Sequence, residues 1–309
     1  MREFVVGTRN SKLALIQTKK VIERLRDAGV TAPIRMEEIV TKGDRRLDVS
    51  LPTLGGGVFL QDIESKIANG DIDFAVHSLK DAPAVLPEGL HMASIPERED
   101  IRDAYLANHH VPFMELPEGA VIGTCSVRRA AQLRRMRPDI QTKSVRGPID
   151  SRIAQMQNGD YDAIILAVSG IKRLGAGLDV ITEYLSAEQF VPAIGQAALA
   201  IESRVDDTEV NELLQNINDP DSETAVQTER LFMNHFSDPD ADSIAGYATV
   251  QDGQVTLTGM IISLDGTRLI RETASGRDPR AVASEVYHTL SSQGAETIIR
   301  ETKEELGKE

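Results

Sequence analysis

Two short stretches limit what this chain can fold into. "IDFAVHS" (72–78) and "YDAIILAVS" (161–169) each hold an unbroken apolar run, at 74–76 and 163–168. A strand with one wet face alternates apolar and polar residues, so unbroken runs of this kind read as strands covered on both faces. The cover is predicted nearby. "EFVVGT" (3–8) and "IRMEEIV" (34–40) read as strands. A helix over 11–28 carries Leu15, Thr18, Ile22 and Leu25 on one face and is closed by Gly29. "FLQDIESKIANG" (59–70) reads as a second helix and "LHMASIP" (90–96) as a strand. The pattern then restarts with strand "AVIGTC" (120–125), helix 126–136, strand "IQTKSV" (140–145), helix 149–157 and the run at 161. Such alternation predicts parallel sheets flanked by helices, in two α/β domains with a cleft between them.

The last third differs. Residues 206–236 are helical in pattern, with Pro220 as a break. "YATVQDGQVTLTGMIISLDGTRLIRETASG" (247–276) predicts three antiparallel strands, because its two Asp-Gly pairs are hairpin signals. A helix from about 279 follows, and "RETKEELGKE" reads as a solvated charged tail. This is a small α+β domain.

The net charge of −14 sets the surface against nucleic acid and anionic membrane. No apolar run is long enough to span a bilayer, and no signal peptide is expected, so a cytoplasmic protein is expected. A single cysteine, Cys125, leaves no intramolecular disulfide and no multi-cysteine zinc cluster. Residues 121–175 break the acidic trend, holding ten Lys/Arg against four acids, a net +6. Arg134, Arg135 and Arg137 read as solvated helix faces. "GTCSVRR" (123–129) is a strand end entering a helix, where backbone N–H groups, the Thr124 and Ser126 hydroxyls, Arg128 and Arg129 can meet an anion. "VRGPIDSR" (145–152) repeats the device with Arg146 and Arg152, and "GTRNSKLA" (7–14) offers Arg9 and Ser11, the latter also a plain helix cap. "HSLKDAP" (77–83) offers Lys80 and Asp81, either a surface ion pair or a carboxylate for a cationic intermediate; His77 reads as a satisfied buried histidine. Together these point to a small ligand with several carboxylates or phosphates.

Near 237, "HFSDPDADSIAGY" spaces Asp238, Asp240 and Asp242 like the first ligands of a calcium loop. Such a loop needs glycine sixth and glutamate twelfth, and Ser243 and Thr249 stand there. No metal site is expected.

"GTRNSKLALIQT", "VTKGDRRLD", "IDFAVHSLKDAP", "PERED", "GTCSVRRAAQL", "VRGPIDSRI", "YDAIILAVSGIKRLG" and "PAIGQAALAIESR", in this order and spacing, resemble porphobilinogen deaminase (hydroxymethylbilane synthase) across essentially the whole chain. The resemblance implies two α/β domains of the periplasmic-binding-protein type II fold around a cleft, plus a small α+β C-terminal domain. It divides the chain into 1–96 with 196–213, 97–195, and 214–309. It implies a cytoplasmic monomer that joins four porphobilinogen molecules head to tail, losing ammonia at each step, on a dipyrromethane primer held by a cysteine thioether. Porphobilinogen and linear pyrrole chains are the implied ligands, and their acid groups account for the arginines. Asp81 matches the catalytic aspartate, and Arg9 and Arg146 match arginines needed for catalysis. Ser11, Ser78, Lys80, Thr124, Ser126, Arg128, Arg129, Arg152, Arg173 and Gln196 match positions that hold primer or substrate.

The chain departs from that pattern at functional positions. The primer cysteine falls at Asp240, and an aspartate cannot form a thioether, which leaves Cys125 as an alternative thiol. In "LPTLGGGVFLQD" (51–62), Thr53 stands for one loop lysine and the other is missing between Gly56 and Gly57. Pro148 replaces an asparagine and Ala197 a glycine. The resemblance with these departures is compatible with two activities: the synthase reaction, or binding of porphobilinogen or a linear tetrapyrrole without a covalent dipyrromethane.

Overall fold

Both apolar runs become central strands. The computed structural model describes residues 2–41 and 60–307. The first sheet contains β1 (Phe4–Arg9), β2 (Ile34–Ile39), β3 (Phe74–Ser78), β4 (Leu90–Ser94) and β10 (Leu199–Arg204), in the order β2-β1-β3-β10-β4. The second contains β5 (Asp103–Ala107), β6 (Val121–Gly123), β7 (Gln141–Lys143), β8 (Ala163–Ala167) and β9 (Glu183–Leu185), in the order β7-β6-β8-β5-β9. The two sheets share one topology, with β3 and β8 in the middle.

The sheets are mixed, not purely parallel. β1 runs parallel to β2 and β3, and β6 to β7 and β8, as strand–helix alternation predicts. β10 is antiparallel to β3 and β4, and β5 to β8 and β9. β10 reaches its sheet from far along the chain, outside the strand–helix–strand crossover that makes neighbours parallel. The chain forms two compact units, Met1–Glu99 with Ala198–Glu223, and Asp100–Ala197 with Thr224–Glu309.

In the first unit α1 (Lys12–Asp27) is capped by Ser11, whose Oγ accepts from Ala14 N. Its buried stripe is Ala14, Thr18, Val21 and Leu25, with Gln17 also buried, so the apolar face is turned from the one expected through Leu15 and Ile22, which are only half-buried. Gln17 is drawn inward because its Nε2 donates to Ser78 Oγ at 3.0 Å. α2 (Gln61–Ala68) closes the other face over Ile39, Ile63, Ile67 and Ile72.

In the second unit α3 (Val127–Met136), α4 (Ile149–Gln157) and α5 (Val168–Leu174) follow the strands. The strand expected over 161–169 stops at Ala167, and α5 begins at Val168. The arginines expected on solvated faces are staples instead. Arg134 donates to Leu264 O and Thr142 Oγ1, Arg135 to Gly266 O and Thr267 O, and Arg137 to Asp139 and the carbonyls of Phe113, Met114 and Leu116. Gly266 (φ +76°) is required here: a Cβ would lie 2.4 Å from Ala131 O on α3.

α6 (Thr208–Gln215) and α7 (Pro220–Met233) precede the small sheet β11 (Ile244–Gln251), β12 (Gln254–Ile262) and β13 (Leu269–Gly276), in that spatial order and antiparallel throughout. Asp252 (φ +52°) and Gly253 (φ +71°) make the first hairpin turn, the conformation that Asp-Gly favours. α8 (Pro279–Ser292) and α9 (Ala295–Leu306) complete the fold. The charged tail expected from Arg300 is helical through Leu306, because Ile298, Ile299 and Thr302 bury one face while the charges line the other.

Candidate functional site

β3 ends in Ser78 and runs into a single 3-10 turn, Leu79–Asp81. Strand ends of this kind present their side chains at the sheet rim, where ligands of open α/β sheets bind. An open pocket forms there, lined by Arg9 from the end of β1, Ser11, Leu13, Ala14 and Gln17 from the start of α1, Leu60, and Val76, His77, Ser78 and Asp81. Four residues expected at the site, Arg9, Ser11, Ser78 and Asp81, share this one wall. Lys80 is exposed on the same turn but is not among the lining residues. Asp81 is exposed, and its carboxylate makes no hydrogen bond or ion pair among the described residues.

Behind this wall lies a buried group of charges. His77 Nε2 is 2.9 Å from Glu202 Oε2, and both side chains are almost inaccessible, so His77 is the satisfied buried histidine expected. Cross-strand pairing sets the contact: His77 faces Ala200, and Glu202 is two residues along on the same face of β10. Glu64 of α2 is buried too, at 6 % exposed. Burial, and then the charge of Glu202, push its carboxyl up from 4.5 to about 7, against the opposing pull of His77. Because the folded value is the higher one, the folded state binds this proton more tightly. The resulting stability is present below 4.5 and lost as pH rises through about 7. Glu64→Gln is therefore expected to leave stability nearly unchanged in acid and to raise it above neutrality, by up to about 3 kcal/mol at about 1.4 kcal/mol per unit. Urea melts on both sides of neutrality measure this, and equal midpoints for both proteins at alkaline pH would refute it.

The second unit gathers its expected residues differently. Arg128 and Arg129 are buried, and both bind Asp103, Arg128 Nη2 at 2.9 Å and Arg129 Nη2 at 2.6 Å. Gln196 Nε2 joins them at 3.0 Å from Asp103 Oδ1 and 2.7 Å from Ile101 O. Both arginines also reach carbonyls: Arg128 Nη1 bonds Val191 O and Arg129 Nη1 bonds Ile165 O. Burial alone would raise the Asp103 carboxyl, but the two guanidiniums outweigh it and hold the group well below the usual carboxylate range. Thr124 Oγ1 accepts from Ser126 N, and Ser126 Oγ caps α3 at Arg129 N, with half-buried Cys125 between them. Arg152 Nε donates to Gly147 O, beside half-buried Arg146. Pro148 stands at the N-cap of α4 without a side-chain cap.

Arg173 is buried and its Nη2 donates to Ala197 O at 2.5 Å. Ala197 itself has φ +70°, a left-handed conformation that costs an L-residue with a Cβ roughly 1 kcal/mol. Ala197→Gly is expected to stabilise the protein by up to about 1 kcal/mol, read as a higher urea midpoint with an unchanged slope; a lower midpoint would show that the strain is not there.

Asp240 is exposed in the turn between α7 and β11. In the same turn Asp238 Oδ2 accepts from Lys303 Nζ at 2.7 Å. No cluster of three potential ligands for a metal is found among the described residues, and no helix among them is long and apolar enough to cross a membrane. Thr53, Gly56, Gly57 and most of "VTKGDRRLD" lie outside the described residues.

Four residues that shape these sites are not among the site residues expected from the sequence: Gln17, Glu64, Asp103 and Glu202. The one local signal is a lone acid in or beside an apolar stretch, as in "DAYLA" (103–107) and "ALAIES" (198–203).

Residues 4–212 match the family described as "Porphobilinogen deaminase, dipyromethane cofactor binding domain". The chain is 49 % identical to the porphobilinogen deaminase of Oceanobacillus iheyensis over 99 % of both chains. It is 48 % identical to that of Geobacillus kaustophilus, over 99 % of this chain and all of the other. Among solved structures, a YaeC-family lipoprotein from Enterococcus faecalis is similar at a TM-score of 0.43 and 13 % identity, over 71 % of this chain and 93 % of that one.

Proposed function

The chain belongs to the porphobilinogen deaminase family, and we propose that it joins porphobilinogen units head to tail with loss of ammonia. The observation that carries this reading is the convergence of Arg9, Ser11, Ser78 and Asp81 on one pocket wall. Each residue has a role suited to an acidic pyrrole. Arg9 binds a substrate carboxylate, and the Ser11 and Ser78 hydroxyls complete its hydrogen bonds. Asp81 accepts from the pyrrole N–H and stabilises the positive charge that develops as ammonia leaves. Lys80 supplies further positive charge on the same turn as Asp81; in the second unit, Arg146 and Arg152 are read as cations suited to pyrrole acid groups. Arg128, Arg129, Arg173 and Gln196 are positioning residues in this reading, since their side chains are engaged by Asp103 and by backbone carbonyls. Incubation with porphobilinogen followed by oxidation is expected to give uroporphyrin; absence of product at any concentration would overturn the proposal.

The matching family is described by a dipyrromethane cofactor. Arg9 and the serine hydroxyls fit acidic pyrroles held by hydrogen bonds. They do not fit a thioether, which needs a thiol, and Asp240 supplies a carboxylate at the expected anchor. Cys125 is the single thiol of the chain. We read dipyrromethane as not covalently fixed in this protein. The intact mass under denaturing conditions is then that of the polypeptide alone, and added pyrrole mass on Cys125 would show the opposite. The aspartate at 240 also fits a chain that binds porphobilinogen or a linear tetrapyrrole without turning it over. Binding without uroporphyrin is the result that would select that reading.

A further inference from the structure

The buried group behind the pocket contains more carboxyl groups than it has partners for. Glu64, His77 and Glu202 are 6 %, 6 % and 1 % exposed. Two carboxylates and one imidazole form a single hydrogen-bonded pair, His77 with Glu202. Glu64 Oε1 and Glu202 Oε1 are buried with no hydrogen-bond partner among the described residues. Ionised carboxylates are not left in a core without partners, because the desolvation penalty favours taking up a proton instead.

Other charges near α2 are occupied elsewhere. Arg204 of β10 donates to the carbonyls of Ile67 and Ile72, at the far end of α2. His91 of β4 bonds Asn211 on α6. Lys66, on α2 itself, pairs with Glu37. His77, however, is also part of the pocket wall, beside Arg9 and Asp81. A proton gained or lost at Glu64 changes the net charge directly behind that wall.

We propose that Glu64 is a positioning residue whose proton, shared electrostatically with the His77–Glu202 pair, sets the charge behind the Asp81 pocket and thereby its capacity to hold and process an acidic pyrrole. This rests on the reading of the pocket as the porphobilinogen site. With Glu64 protonated, it adds no charge of its own behind the wall, and the pocket keeps the full pull of Arg9 on a substrate carboxylate. With Glu64 ionised, one more negative charge stands behind the wall and opposes that carboxylate. Since its carboxyl sits near 7, the switch falls at neutrality.

The test has two independent parts. The first follows the Glu64 carboxyl by carbon NMR in wild type, Glu202→Gln and His77→Gln, each checked for folding by its thermal melt. The Glu64 midpoint is expected to fall in Glu202→Gln and to rise in His77→Gln. A midpoint unmoved in both folded variants overturns the coupling, whether or not the protein has any activity. The second compares the pH profiles of kcat and KM for porphobilinogen in wild type and Glu64→Gln. The inflection near neutrality is expected to disappear in the variant, which keeps the acid-side behaviour at all pH values. An inflection retained in Glu64→Gln overturns the proposal. If wild type binds without turnover, the reading of the protein as a synthase fails by itself, and the same comparison of inflections is read in the pH dependence of porphobilinogen binding by calorimetry.

Discussion

Asp103→Asn is expected to destabilise the protein by about 3–5 kcal/mol, the usual cost of removing one partner from a buried ionic group. Asp103 is fully buried and is the counter-charge for both Arg128 and Arg129. Asparagine keeps the shape but removes the charge, which leaves two guanidiniums in a core with carbonyls and an amide oxygen as their acceptors. Gln196 also loses its charge-assisted acceptor. The pH dependence has a defined sign. The folded carboxyl lies below its ordinary value, so its contribution is present above that ordinary value and is lost as pH falls toward the low folded one. Urea melts at neutral pH measure the loss. In acid the gap between wild type and variant should narrow. A neutral-pH loss below about 1 kcal/mol, the range of exposed ion pairs, would mean that the cluster is not the buried hub described.

Asp81→Asn is expected to lower turnover of porphobilinogen by about 10²–10⁴-fold, the range for losing a general acid–base group or an electrostatic stabiliser. Stability should hardly change, because Asp81 is exposed and makes no hydrogen bond or ion pair among the described residues. The contrast with Asp103 is the informative part. One aspartate is buried, doubly paired and structural; the other is exposed, lines a pocket and is free of structural duty among the described residues. Asn preserves the shape of Asp81 and a hydrogen-bond acceptor, so the fall should appear in kcat more than in KM. A fall below about tenfold with the fold intact would remove Asp81 from the chemistry.

Much of the fold is legible in the sequence because it rests on local patterns. The apolar runs at 72–78 and 161–169 mark the two central strands, and the Asp-Gly pairs mark the hairpins. Strands β5 and β10 leave no such mark, since their antiparallel place in a sheet comes from distant chain returning, which no local period records. The buried face of α1 is turned one position from the one its apolar spacing predicts, because a polar residue, Gln17, is drawn inward to Ser78. The same physics separates the site residues. Arg9, Ser11, Ser78 and Asp81 sit at strand ends and a helix start, positions visible from pattern and turn chemistry. Arg128 and Arg129 also lie in such a segment, but their burial is decided by Asp103, whose pairing is long-range. Glu64 and Glu202 look like surface acids in sequence and become buried only when α2 and β10 are assembled.

The most direct test of the account is the release of ammonia measured beside tetrapyrrole formation in one reaction with porphobilinogen. About one ammonia is expected for each porphobilinogen consumed, with uroporphyrin after oxidation and no pyrrole mass on the denatured chain. Porphobilinogen bound by the protein, with no ammonia released and no difference between wild type and Asp81→Asn, would contradict it.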